Sequence, residues 1–110
     1  HRAMQLAAQP GPPRTDIGRL GEGWTGHEAL AIALYCCCRH RDDFAAAIRT
    51  AVNHNGDSDS TGAVAGNLMG AMLGRSAIAP EFLDRLELRG VIEEMARDLC
   101  HGLPAAAPRP

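Results

Sequence analysis

The stretch NHNGDSDSTGAVAGNLMG, residues 53–70, decides how the chain folds. Asp57 and Asp59 stand one residue apart at the mouth of a run of small residues. Like charges that close repel, so solvent, a helix terminus or a cation must compensate. Beyond them Gly62, Gly66, Gly70 and Gly74 recur every fourth residue and form one slowly drifting helical stripe. Glycine inside a helix costs about 1 kcal/mol against alanine. The pattern therefore predicts a helix over 60–73, central in the fold and approached closely by other backbones, with Asn67 as a buried hydrogen-bonding group.

Working outward from it, the flanks are helical too. Phe44, Ala47, Ile48, Ala51 and Val52 mark one face of a preceding helix, capped by Asp42 and Asp43 and closed by Asn53 to Gly56. Leu30, Ala33, Leu34 and Cys37 mark another, from His27 to Arg39 or His40. The prolines and glycine of 10–13 stop a first short helix, and residues 15–20 form a helical turn. Pro80 starts a later piece that carries Phe82, Leu83 and Leu86. A final helix over 88–100 is expected to turn Val91, Ile92, Met95 and Leu99 inward. No strand is convincing. Aromatics make up 4% of the 110 residues and the apolar share is 45%, so the core rests on Ala, Leu, Ile, Val, Met and thiols. That composition favours close-packed helices, and the fold class is all-α. We expect one helical segment over 1–110 with a disordered tail at 104–110.

The totals exclude some functions. A net charge of -2 with no lysine gives no polyanion-binding surface, so nucleic acid is not an expected partner. No apolar run approaches the ~20 residues of a membrane span. Cys36, Cys37 and Cys38 are contiguous and Cys100 is distant, with no paired zinc spacing. Reduced thiols acting as small buried hydrophobes are expected, which fits a cytoplasmic protein.

Asp57, Asp59, Ser60 and Thr61 offer only oxygen, a hard ligand set that suits Mg²⁺, Mn²⁺ or Ca²⁺. A calcium loop of the EF-hand type is excluded, since its twelfth place holds Leu68 and not Glu. Two readings of the aspartates stay open: caps for the helix N-terminus, or ligands for a divalent cation. Both can hold at once.

Residues 53–67 resemble the C-terminal metal motif of the ADP-ribosylglycohydrolases, a family that includes the dinitrogenase reductase-activating glycohydrolase. Leu20-Gly21-Glu22-Gly23-Trp24, residues 28–33 and Leu86-Glu87-Leu88-Arg89 resemble family segments in the same order. The resemblance implies an all-helical fold with a binuclear Mg²⁺ or Mn²⁺ centre. It implies hydrolysis of the bond that joins ADP-ribose to a protein side chain or a related small acceptor. The implied metal ligands are Asp57, Asp59 and Ser60. The implied substrate-binding residues are Gly23, Trp24, Thr25, His54 and Gly56; no catalytic acid or base is assigned. Trp24 also reads as a buried anchor of its loop and His54 as a partner of a helix C-terminus, while Glu28 reads either as a catalytic carboxylate or as a charge that complements a helix N-terminus.

Nothing before Gly21 matches the family's second acidic motif; Asp16 stands alone there, and Asp42-Asp43 reads as a cap. The chain is therefore expected to be the C-terminal part of such a protein, holding part of the ligand set and inactive by itself. The missing N-terminal part is then its partner. The alternative is a non-catalytic helical module or a degraded relative.

Overall fold

The computed structural model describes residues 1–9 and 11–102. The tail expected at 104–110 lies outside them. Among the described residues there are seven α-helices, one 3₁₀ turn and no strand. In order they are α1 (Arg2–Ala7), α2 (Pro13–Leu20), α3 (Gly26–Arg39), α4 (Phe44–Val52), α5 (Ser58–Leu73), the 3₁₀ turn Arg75–Ala77, α6 (Pro80–Asp84) and α7 (Arg89–His101). The all-α expectation is met. None of these helices is long and apolar enough to cross a membrane. The chain divides into two compact units, His1–Ala79 and the residues from Pro80 onward.

In the first unit α3 is the central helix, packed on α1, α2, α4 and α5, and α4 packs on α5. Ile32, Ala33, Tyr35 and Cys36 of α3 are fully buried, as are Ala47 and Ala51 of α4 and Ala65 and Met69 of α5. The alanines among them let the helices approach closely. Cys36 and Cys37 behave as the small hydrophobes expected of them, and Cys38 is half-buried. Asp43 caps α4 by accepting the Ala46 N–H at 3.1 Å.

The glycine stripe of α5 differs from expectation along its length. A Cβ on Gly62 would stand 2.6 Å from Val52 Cγ1, and one on Gly66 would make ordinary contact with Ile48 at 3.7 Å. These two glycines let α4 settle onto α5. Gly70 faces open space, and Gly74 adopts φ +80° to end the helix. Asn67 is exposed and not a buried group.

The second unit corrects another expectation. α7 has the amphipathic pattern read from sequence, yet Val91, Ile92, Met95 and Leu99 are all exposed. Cys100 is exposed as well. Within this unit the other described helix is α6, only five residues long, which is too little to cover such a stripe. Arg89 braces the first turn of α7 by pairing with Glu93 at 3.1 Å and Asp84 at 3.7 Å.

Candidate functional site

α5 begins at Ser58, two residues earlier than its sequence indicates, because Asp57 serves as its N-cap. Asp57 Oδ1 accepts the Ser60 N–H at 3.4 Å, and Asp59 Oδ1 accepts the same N–H at 3.0 Å. Both carboxylates therefore converge on one backbone donor at the positive end of a helix. Asp57 lies below its ordinary carboxylate value, first through hydrogen bonding with the Asp59 side chain and then with Ser60. The capping geometry is real, and it gathers Asp57, Asp59 and Ser60 into one oxygen-rich turn.

Behind that turn lies a buried polar hub. Thr61 is fully buried. Its hydroxyl lies 2.6 Å from Ala51 O, 3.1 Å from Asp57 O and Ser58 O, and 2.9 Å from His54 Nε2. The Gly56 N–H donates to His54 Nδ1 at 3.0 Å. His54 is thus engaged through both ring nitrogens rather than standing as a free helix-end charge.

The glycine loop 21–26 is clamped to the same turn. The Asp57 N–H donates to Glu22 O at 2.6 Å. A Cβ on Gly56 would collide with the Glu22 backbone, so only glycine permits this approach. Gly23 has φ +85°, is buried, and leaves 3.0 Å between its would-be Cβ and Thr61 Cγ2. Trp24 is 67% exposed, so it does not anchor the loop by burial; its Nε1–H donates to Glu22 Oε2 at 3.2 Å. Thr25 is exposed at the N-cap of α3 with its hydroxyl 3.3 Å from His27 Nδ1.

A cavity of about 180 Å³ opens beside the turn, its walls including Arg14, Gly21, Glu22, His54, Asn55 and Gly56. Of the substrate-binding residues expected from sequence, His54 and Gly56 line it; Gly23, Trp24 and Thr25 do not. Sequence reasoning misses Arg14, whose guanidinium donates to Asn55 Oδ1 at 2.8 Å from 41 positions away. Nor does it reveal the partners of Asp16, which is buried and accepts from Tyr35 Oη at 2.8 Å, with Arg39 at 3.9 Å. Burial and that hydrogen bond push the Tyr35 hydroxyl well above its ordinary value. This cluster fastens α2 to α3 and thereby sets the wall that carries Arg14.

The donors of the turn fit a hard divalent cation in kind: two carboxylates and a hydroxyl, all oxygen. In number they are partial. Among the described residues no three His, Cys, Asp or Glu side chains come together.

A sequence model of the family described as ADP-ribosylglycohydrolase matches residues 1–108. The chain is also similar to ADP-ribosylhydrolase ARH1 of Dictyostelium discoideum, with 30% identity over 80 residues. That match covers 70% of this chain and 20% of the relative, so the chain spans about a fifth of the relative's length. No solved structure matches.

Proposed function

The chain belongs to the ADP-ribosylglycohydrolase family, and on that premise we propose that it serves metal-dependent hydrolysis of the bond linking ADP-ribose to an acceptor. The acceptor is a protein side chain or a small ADP-ribose derivative. Asp57, Asp59 and Ser60 are the residues that hold Mg²⁺ or Mn²⁺ on this reading. The observation that carries it is the convergence of both carboxylates on the Ser60 N–H, on a turn clamped by two glycines.

Mg²⁺ or Mn²⁺ held by Asp57, Asp59 and Ser60 would, when bound, help to orient the ribose and to activate water. The chain's own residues do the rest of the work assigned here. Glycosidic cleavage passes through an oxocarbenium-like state, and the carboxylates of Asp57 and Asp59 would offset part of the positive charge that the metal brings to it. The cavity beside them offers the Arg14 guanidinium and glycine-lined walls to a polar, anionic substrate. Trp24 presents an exposed aromatic face on the adjoining loop, next to Gly23 and Thr25.

The turn carries two carboxylates where a binuclear centre needs more, so the remaining ligands belong to a part of the protein N-terminal to these residues. The 110-residue chain alone is then inactive. Free thiols at all four cysteines support a cytoplasmic setting.

The test is release of ADP-ribose from an ADP-ribosylated protein by the complete enzyme with Mn²⁺ present. Asp57→Ala should abolish release by removing a ligand. Full activity in that variant overturns the assignment.

A further inference from the structure

The geometry points to His54 and Thr61 as a positioning pair that fixes the Asp57–Ser60 turn through one defined histidine tautomer. This inference rests on the metal-site reading for its functional meaning, and its geometry stands apart from that reading.

Donor counting gives the tautomer. The Gly56 N–H points at His54 Nδ1 at 3.0 Å, and a backbone N–H only donates, so Nδ1 must accept. The neutral ring then carries its proton on Nε2. That Nε2–H faces Thr61 Oγ1 at 2.9 Å and donates to it. The single Thr61 proton is left for Ala51 O, its shortest contact at 2.6 Å. The relay runs one way: Gly56 N–H to His54, His54 to Thr61, Thr61 to the C-terminal turn of α4.

Its placement gives the consequence. Gly56 precedes the N-cap Asp57, and Thr61 follows the donor Ser60. The relay therefore grips both ends of the turn that carries the carboxylates and ties it to α4. No buried side-chain polar atom among the described residues lacks a partner. Neither residue of the pair is a metal ligand; they orient the groups that are. Groups that orient metal ligands typically change metal affinity about 10–100-fold when lost.

Nitrogen-15 NMR of His54 in the protein, together with Mn²⁺ titration, tests the pair. The expected spectrum shows a protonated Nε2 and an unprotonated Nδ1. Thr61→Val keeps shape but not the hydroxyl; it should weaken Mn²⁺ binding about tenfold or more and speed exchange of the Gly56 amide. Thr61→Ser restores the hydroxyl and should restore both. A protonated Nδ1 in the neutral ring, or unchanged Mn²⁺ affinity and Gly56 exchange in Thr61→Val, overturns the proposal. Wild-type protein that binds no Mn²⁺, yet shows the Nε2–H tautomer and faster Gly56 exchange in Thr61→Val, supports the pair and sinks the metal reading instead.

Discussion

At the scale of single residues, the chemistry depends on what each side chain's surroundings allow. Burial, and then the neighbouring Cys37 charge, push the Cys36 thiol up to about 12; burial and Cys38 push Cys37 up to about 11. A thiol that resists ionisation is a poor nucleophile. Alkylation of the native protein with iodoacetamide at neutral pH should therefore modify Cys100 first and Cys38 next, leaving Cys36 and Cys37 intact by mass spectrometry. Rapid modification of Cys36 in folded protein contradicts the packing. At this scale the aspartates of the turn are legible in sequence because the turn is contiguous: Asp57, Asp59 and Ser60 meet through local bonds. Asp16 is not legible. Its partner Tyr35 lies 19 positions away, and nothing in the spacing of 13–20 announces a buried carboxylate. Trp24 stays open in sequence between a ligand-facing side chain and a loop anchor, since a lone tryptophan in a glycine loop gives no sign of whether it faces the core or water; the structure leaves it 67% exposed.

At the scale of elements, the stripe on α5 separates two kinds of glycine that look alike in sequence. Gly62 exists for contact: a methyl there meets Val52 at 2.6 Å, whereas Gly70 meets nothing. Gly70→Ala should stabilise the protein by about 0.5–1 kcal/mol through helix propensity. Gly62→Ala gains the same propensity but overpacks, and such overpacking costs about 1–3 kcal/mol. It should come out destabilising by roughly 1 kcal/mol. Urea unfolding of the two variants reads the difference directly, and equal midpoints contradict the close α4–α5 approach. Periodicity makes the helices themselves readable, because 3.6-residue repeats persist along each. It does not reveal what covers a face. α7 shows this: its apolar stripe is correctly drawn by the sequence, yet Leu99 is 83% exposed. The start of α5 is missed for a different reason, since Asp57 and Ser60 are both good caps and only the three-dimensional turn selects between them.

At the scale of the whole molecule, the buried acids of the first unit set an alkaline limit. Cys36, Cys37 and Tyr35 all have folded-state values above their ordinary ones, mainly because burial disfavours the anion. Their contribution is fully present below the unfolded thiol value near 9.0 and is lost as pH rises from there through about 12. The urea midpoint should hold steady up to about pH 9 and fall beyond it; a midpoint that rises across that window contradicts the buried thiols. The all-α class is readable from composition and period because few other arrangements bury so many alanines and so few aromatics. The site is readable only in part, because the wall bearing Arg14 comes from α2, far from the turn in sequence. The central claim is that the turn holding Asp57, Asp59 and Ser60 is a metal-binding part of an ADP-ribosylglycohydrolase. Calorimetric titration of Mn²⁺ into the complete protein and into its Asp57→Asn variant tests it most directly. Saturable binding that is lost in Asp57→Asn is the predicted result. Identical Mn²⁺ binding in both proteins, or none in either, would mean that the aspartates cap a helix and hold no metal.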